Sequence, residues 1–225
     1  MQDEDKKMAA EAATELVSDG MNIGLGTGST AYFAIKKLAD RVAEGLSIHC
    51  LPTSRATETL AREMGIPLVD FTQVTRLDLT LDGADEMDSA LNLIKGGGGA
   101  LFREKIVAAA SEQLVIFADG TKQVPTLGAY PLPVEVNPFG WQIVAEKIAA
   151  MGAEVTLRGG EGTPFISDNQ GYILDCAFGQ IKDPPELEHQ LAAITGVMES
   201  GLFCGMAKVA FIAQNGNVIR VEPQG

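Results

Sequence analysis

Short apolar segments alternate with amphipathic segments through the first half of this chain. The apolar segments predict strands at residues 21–25, 47–51, 67–69, 77–81 and 114–118. The helical spacing of apolar residues predicts helices at residues 4–18, 29–43, 54–64 and 100–112. This alternation favours an α/β fold with a doubly wound, mostly parallel, Rossmann-like sheet.

The pattern changes after residue 130. The order of the next predicted elements is strand (131–136), helix (140–151), strand (153–157), strand (171–175), helix (185–194) and strand (197–199). This order is typical of a ferredoxin-like α+β unit. We therefore predict a Rossmann-like catalytic domain at 1–129 and 204–225, with a small ferredoxin-like domain inserted at 130–203. Asn215-Gly216 predicts a β-hairpin that returns the chain to the first domain.

Net charge limits the partners of this chain. Its formal charge is −13, whereas nucleic acids and anionic membranes bind basic faces, so we expect neither as a partner. A small anion stays compatible, because backbone N–H groups and one or two lysines can hold a phosphate. No apolar run approaches a membrane span, and the acidic N-terminus lacks the apolar core of an export signal. We expect a cytoplasmic protein.

The cysteines and histidines show no pattern of a metal or nucleophilic site. Cys50, Cys176 and Cys204 are scattered and odd in number, so we expect buried free thiols and no zinc site. We interpret His49, inside an apolar stretch, as structural, and place His189 on a surface helix. An acid–base enzyme with this sequence would therefore use a carboxylate or a lysine as its base.

A glycine-rich loop over residues 24–30 joins a predicted strand to a predicted helix. Its glycines allow a tight turn and close approach of a ligand, and the helix start presents free N–H groups to an anion. Thr27, Ser29 and Thr30 add hydroxyl donors. The loop is not a Walker A motif and matches the dinucleotide fingerprint only in part. We interpret it as a phosphate loop; a purely structural turn is the alternative.

Carboxylates follow another predicted strand, in Asp82-Gly83-Ala84-Asp85-Glu86. Ligands of open α/β sheets bind beyond the carboxyl ends of the strands. Two carboxylates at this edge can hold sugar hydroxyls or move protons. An Asx-type turn with a helix cap is the alternative, and a Mg²⁺ site is a weaker one.

The stretch from Lys95 to Lys105 joins a cation, four consecutive glycines (Gly96–Gly99, the glycine run) and the carboxylate of Glu104. Each glycine loses more backbone entropy on ordering than any other residue, so such a run suits a site where something approaches the backbone closely. A flexible linker is the alternative, but a lysine and a glutamate are foreign to Gly/Ser linkers. Lys122 follows a further predicted strand and is a candidate to complete an anion site; an exposed lysine in a turn is the alternative. One sheet edge would gather all four motifs into one cleft.

Together these motifs resemble those of the type A ribose-5-phosphate isomerase family in order and spacing, over nearly the full length of the chain. The segments 132–136 and 201–203 resemble the family as well. The resemblance implies interconversion of D-ribose 5-phosphate and D-ribulose 5-phosphate in the non-oxidative pentose phosphate pathway. It further implies that no cofactor or metal takes part, and that the enzyme is a cytoplasmic homodimer or homotetramer.

The resemblance also implies roles for individual residues. Glu104 would be the catalytic base, which moves a proton through an enediolate. Lys95 would stabilise the charge that develops on oxygen, and Asp82 or Asp85 would assist ring opening. The implied substrate-binding residues are Thr27, Gly28, Ser29, Thr30, Asp82, Gly83, Ala84, Asp85, Lys95, Gly96, Gly97, Gly98 and Lys122.

Two residues of this stretch depart from the family pattern. Gly99 stands where many members have alanine, and Phe102 stands where a small polar residue is common. Both bear on the stiffness of the loop rather than on the reaction. Two other functions share the need for a sugar-phosphate site: a non-catalytic sugar-phosphate sensor, and a related sugar-phosphate hydrolase or deaminase.

Overall fold

The computed structural model describes residues 2–223, and over these residues the chain forms six α-helices and thirteen strands. The helices are α1 (Gln2–Thr14), α2 (Ser29–Ala43), α3 (Arg55–Glu63), α4 (Leu101–Ala109), α5 (Trp141–Ala150) and α6 (Pro184–Ala192). The strands are β1 (Asn22–Leu25), β2 (His49–Pro52), β3 (Leu79–Asp82), β4 (Glu86–Met87), β5 (Leu93–Ile94), β6 (Leu114–Asp119), β7 (Leu132–Val136), β8 (Glu154–Leu157), β9 (Tyr172–Ala177), β10 (Val197–Ser200), β11 (Leu202–Phe203), β12 (Ala207–Gln214) and β13 (Asn217–Val221). No helix in this range is long and apolar enough to cross a membrane.

The central sheet has the strand order β13-β12-β6-β3-β1-β2. Its neighbours pair in parallel except β12 and β13, which are antiparallel. Every residue of β6 is buried. Successive side chains of a strand point to opposite faces, so Val115 and Phe117 pack in one apolar cluster with α1 and α2, whereas Ile116 and Ala118 pack in another with Ala108 of α4. The predicted fold class is confirmed.

The hairpin predicted near the C-terminus is present between β12 and β13. Gln214 pairs with Asn217 across a two-residue turn. The turn residues have positive φ, 53° at Asn215 and 77° at Gly216. Two such residues form the type I′ turn, whose twist matches that of the flanking strands.

The small sheet has the order β10-β7-β9-β8 and is antiparallel at each pairing. Its elements follow the predicted strand-helix-strand-strand-helix-strand sequence. Residues of α5 and α6 share an apolar cluster with it, and Ile94 and Leu202 join the same cluster. The division of the chain into domains at residues 130 and 203 stays a prediction.

A third, short sheet has the order β11-β5-β4. Along the chain, β4 and β5 lie between β3 and β6 of the central sheet, and β11 lies between β10 of the small sheet and β12 of the central sheet. Beside this short sheet, Gly201 donates its N–H to the carbonyl of Pro133 at 2.7 Å and accepts the Lys95 N–H at 2.8 Å. A Cβ at Gly201 would clash with the Lys95 carbonyl. The backbone of Lys95 is therefore held by the chain that leaves the small sheet.

Some local predictions differ from the structure. The predicted strand at 67–69 is wrong: only Leu68 bridges to β2, because the chain turns at Asp70, whose carboxylate accepts the Thr72 N–H. Helix α1 ends at Thr14 rather than at residue 18. His49 lies on the edge strand β2 with its side chain exposed.

The cysteines and His189 agree more closely with their predictions. His189 is exposed on α6, as predicted. Within the described residues all three cysteines are free thiols; Cys50 and Cys176 are buried, but Cys204 is only partly buried. Burial raises the pKa of each thiol to about 12, so none of them is a reactive thiolate near neutral pH.

Gly24→Ala should destabilise the protein, since a Cβ there would clash with Thr80 Oγ1 and lie 2.6 Å from Val107 Cγ1. We expect the free energy of unfolding in urea to fall by about 1–3 kcal/mol. Gly162→Ala is the matched control, because its Cβ would meet no atom within 4 Å. Equal stability of the two variants would refute this close packing of β1 on β3.

Candidate active site

The predicted motifs meet at the carboxyl edge of the central sheet. They surround a cleft of about 310 Å³, formed by the loop after β1, the loop after β3, the glycine run and the short 3₁₀ helix Gly120–Lys122. The predicted site residues that line it are Thr27, Gly28, Ser29, Thr30, Gly83, Ala84, Asp85, Lys95, Gly96, Gly97, Gly98, Glu104 and Lys122. Asp82 does not line the cleft; it lies buried beneath Lys95.

In the loop after β1, the Thr27 hydroxyl is bonded to other hydroxyls, so the backbone is the part of the loop that is available at the cleft. The Thr27 hydroxyl lies 2.8–3.0 Å from the hydroxyls of Thr53, Ser54 and Thr57, and so belongs to a cluster away from the cleft. Ser29 and Thr30 begin α2, where the first N–H groups have no partner within the helix. This helix start is the part of the loop suited to an anion.

Lys95, Asp82 and Glu104 form a buried cluster of charges. The Lys95 ammonium lies 2.9 Å from Asp82 Oδ2 and 3.3 Å from Glu104 Oε2, and it donates to the Gly83 carbonyl at 2.6 Å. These side chains are at most 4% exposed. The two carboxylate contacts are ion pairs rather than hydrogen bonds: within residues 2–223, Asp82 Oδ2 and Glu104 Oε2 have no hydrogen-bond partner. Asp82 in turn accepts the Gly83 N–H at 2.8 Å, which fixes its carboxylate at the end of β3.

Burial and neighbouring charges set the proton affinity of this cluster. Burial raises the pKa of Glu104 to about 7; the Lys95 ammonium opposes this shift and the Asp82 carboxylate adds to it. Burial likewise raises the pKa of Asp82 against the effect of Lys95. Burial alone would lower the pKa of Lys95, but the two carboxylates outweigh it and hold that pKa above its usual value. Near neutral pH, Glu104 can therefore both accept and release a proton.

Asp85 and Glu86 have different surroundings although they are neighbours in sequence. Asp85 lines the cleft, and its Oδ2 accepts the Gly97 N–H at 2.8 Å, which ties the loop after β3 to the glycine run. Glu86 is buried in β4 and accepts the N–H groups of Gly128 and Tyr130 at 2.7 and 2.6 Å. Glu86 thus supports the backbone and does not face the cleft.

A Mg²⁺ site at these carboxylates was the weaker alternative from sequence. Between Asp82 and Glu104, the position of a cation is taken by the Lys95 ammonium. Among residues 2–223, no group of three or more His, Cys, Asp or Glu side chains is arranged to hold a metal ion.

Two residues of α1 line the cleft although no motif indicated them. Gln2 and Lys6 lie at the same cleft as Ser29, Thr30 and Lys122. The Lys6 side chain is 15% exposed and lies 3.7 Å from Asp3. Two ammonium groups, from α1 and from the 3₁₀ helix, therefore border one cleft. No local pattern could have shown this, since it depends on the packing of α1 against α2.

The two departures from the family pattern lie at the start of α4. Gly99 has a φ of 76°, and a Cβ there would clash with the ring of Phe165, so an alanine would not fit this backbone. Phe102 is partly buried on α4. At Gly99, the aromatic ring fills the space that a side chain would need.

The pKa of Glu104 predicts a pH-dependent effect on stability. Between pH 4.5 and about 7, Glu104 is protonated in the folded protein but ionised in the unfolded chain. Its contribution to the free energy of unfolding is therefore present at low pH and is lost as the pH rises through that window. The Glu104→Gln variant does not lose stability in this way, because its amide does not titrate. We expect the stability of Glu104→Gln relative to the parent to increase by on the order of 2 kcal/mol from pH 5 to pH 8 in urea unfolding. The exposed Glu112→Gln is the control, and a pH-independent difference for Glu104→Gln would be the contrary result.

Comparisons with known proteins agree with the motifs. A model of the family described as ribose 5-phosphate isomerase A (phosphoriboisomerase A) matches residues 49–217. Ribose-5-phosphate isomerase A of Gloeobacter violaceus is 53% identical over 220 residues, covering 97% of this chain and 96% of that one. The enzyme of that name from Bacillus mycoides is 49% identical over 214 residues, covering 95% and 97%. A D-ribose-5-phosphate isomerase solved in complex with phospho-erythronic acid has a TM-score of 0.95 and 38% identity, with 99% of each chain covered. This chain belongs to the ribose 5-phosphate isomerase A family.

Proposed function

We propose that the chain is an aldose–ketose isomerase that interconverts D-ribose 5-phosphate and D-ribulose 5-phosphate. The observation that carries the proposal is the buried Glu104 carboxyl, whose pKa of about 7 suits proton transfer, at the wall of a cleft bordered by lysines. Family membership supplies the reaction. The phospho-erythronic acid in the related solved structure supports a phosphorylated ligand for this cleft.

The phosphate end of the substrate is assigned to the start of α2. Within residues 2–223 the backbone N–H groups of Ser29 and Thr30 have no hydrogen-bond partner, and the helix dipole favours an anion. Lys6 and Lys122 line the same cleft as this helix start. A phosphate held at this end anchors the sugar without reacting, so that its binding energy orients the reacting carbons.

The reacting carbons are assigned to the other end, beside Glu104. The Glu104 carboxylate removes the proton from C2 of the open-chain aldose, which gives an enediolate with its negative charge on O1. A proton passes from the O2 hydroxyl to O1, and Glu104 returns its own proton to C1, which gives the ketose with its carbonyl at C2. Negative charge develops on oxygen during this step, and the fixed Lys95 ammonium stabilises it in a site shielded from water. One carboxyl is sufficient for both transfers when its pKa lies near the working pH.

The structure favours different roles for the two aspartates. Asp82 is buried and lies against Lys95, so we assign it to holding the ammonium in place. Asp85 lines the cleft, so we assign it to the sugar hydroxyls and to ring opening. Either role uses carboxylate oxygens that the backbone already orients.

We also propose a homodimer or homotetramer in the cytoplasm, and a catalytic domain at residues 1–129 and 204–225 with a small domain at 130–203. Phe139 is 94% exposed and Ile143 is 61% exposed. Exposed apolar side chains close together in sequence support a surface that another protomer covers. Sedimentation of the purified protein tests the oligomeric state.

Glu104→Gln should abolish most of the turnover, because the amide accepts no proton. We expect kcat to fall about 10²–10⁴-fold with little change in KM. In the parent protein, kcat/KM should rise with pH through about 7 as Glu104 ionises. A coupled assay of ribulose 5-phosphate formation measures both, with Glu112→Gln as the control. Near-normal turnover of Glu104→Gln would remove it from the role of base.

The same assay separates the isomerase from its alternatives. Isomerase activity of the parent protein that persists in EDTA supports a metal-free isomerase. A folded protein that binds ribose 5-phosphate without turning it over is instead a sensor. Release of inorganic phosphate or ammonia would indicate the hydrolase or deaminase.

Lys6→Ala and Lys122→Ala should weaken binding of the phosphate end. Each removes one ammonium at the edge of the cleft, so we expect KM to rise about tenfold, the effect of roughly 1.4 kcal/mol, with a smaller change in kcat. Lys36→Ala is the control, since Lys36 is exposed on α2 and does not line the cleft. Unchanged KM values for both variants would place the phosphate elsewhere.

A further inference from the structure

A guanidinium from the small sheet contacts the glycine run from behind. Arg158, just after β8, donates through Nη1 to the carbonyls of both Gly96 and Gly97, at 3.1 Å each. Its Nε and Nη2 donate to the two carboxylate oxygens of Asp175 in β9, at 2.9 and 2.5 Å. Arg158 does not line the cleft. One side of the guanidinium is thus fixed by a bidentate ion pair, and the other holds two consecutive peptides.

The hydrogen bonds from Arg158 to these two carbonyls also determine the direction of the N–H groups in the same two peptides. In a trans peptide the C=O and the N–H lie on opposite sides, and the described residues contain no cis peptide bond. The peptide of the Gly96 carbonyl therefore directs the Gly97 N–H away from Arg158, and this N–H meets Asp85 Oδ2 at 2.8 Å. The next peptide directs the Gly98 N–H away from Arg158 in the same manner.

The Gly98 N–H is available to a ligand. Gly98 lines the cleft, and within residues 2–223 its N–H has no hydrogen-bond partner. Successive N–H groups that point to one side form a concavity suited to an anion. Such a donor, lining the same cleft as Lys95, suits an oxygen that becomes negative during the reaction.

An aromatic ring fixes the guanidinium from a further side. The Phe165 ring centroid lies 5.7 Å from the centre of the Arg158 guanidinium, within the range of cation–π attraction. The same ring fills the space beside Gly99. Phe165 therefore contacts both the arginine and the glycine run.

We propose that Arg158 is a positioning residue for the reaction. It fixes the peptide planes of Gly96 and Gly97 so that the Gly98 N–H, together with the Lys95 ammonium, meets the oxygen that becomes negative in the enediolate. This role rests on the proposed isomerase function. The role requires arginine rather than lysine. Only a planar guanidinium can bind Asp175 through Nε and Nη2 and at the same time bind both carbonyls through Nη1.

The test compares Arg158→Gln and Arg158→Lys with a control variant, Arg220→Gln. The Arg220 side chain is exposed, pairs with Glu222 and does not line the cleft. Circular dichroism verifies folding, and the measured quantities are kcat, KM and inhibition by inorganic phosphate. We expect kcat to fall about 10- to 100-fold in both Arg158 variants, the effect of a small misplacement of reacting groups. KM and phosphate inhibition should change little, since the start of α2 is unaffected.

A purely structural Arg158 would give a different result. Loss of stability with unchanged kcat in the folded variants would overturn the proposal, as would a full rescue by Arg158→Lys. Amide hydrogen exchange at residues 96–99 should be faster in Arg158→Gln, and unchanged exchange there would also overturn it. An inactive parent protein would overturn the isomerase function itself, whereas an active parent with an equally active Arg158→Gln overturns only the role of Arg158.

Asp175→Asn keeps the test decisive if the Arg158 variants do not fold. The amide retains the volume but loses the charge that fixes the guanidinium. We expect the same pattern, a loss in kcat with little change in KM, of smaller size. Parent-like kcat in Asp175→Asn, with parent-like exchange at residues 96–99, would contradict the proposal.

Discussion

The rest of the site depends on one interaction, the buried pairing of the Lys95 ammonium with the carboxylates of Asp82 and Glu104. Charges removed from water are costly unless they are paired and hydrogen-bonded. Here the ammonium is ion-paired with Asp82 and Glu104 and donates a hydrogen bond to the Gly83 carbonyl. Burial raises the pKa of Glu104, the Lys95 ammonium opposes this shift, and the Asp82 carboxylate adds to it. The burial that makes the ion pairs necessary is therefore also what brings the pKa of Glu104 near neutral pH.

The two larger sheets contribute to this cluster in different ways. The central sheet supplies much of the cleft, because its parallel strands β1, β3 and β6 end at one edge and each of these three is followed by residues that line the cleft. The glycine run, which follows β5 of the short sheet, completes it. The small sheet supports those loops from behind. Gly201 bonds the backbone of Lys95, and Arg158 bonds the glycine run. The small sheet therefore supports the backbone at the cleft although its arginine does not line the cleft.

Sequence could predict those features that follow from local rules. Each motif after a strand lies at the carboxyl edge of the central sheet, and the type I′ hairpin follows from Asn215-Gly216. Contacts between segments that are distant in sequence could not be predicted from such local rules. Lys6 reaches the cleft because α1 packs on α2, and Arg158 is 61 residues from the Gly97 carbonyl it holds. The Thr27 hydroxyl joins a cluster with Ser54 and its neighbours, which no property of the loop alone would indicate.

A direct titration of Glu104 tests the central claim, that burial beside Lys95 and Asp82 prepares this carboxyl for proton transfer. Carbon-13 NMR of the side-chain carboxyl, assigned by comparison with Glu104→Gln, follows its ionisation in the intact protein. The predicted result is an apparent pKa of about 7. An apparent pKa at the ordinary value of 4.5 would contradict the account, because the carboxyl would then be too weak a base for the role assigned to it.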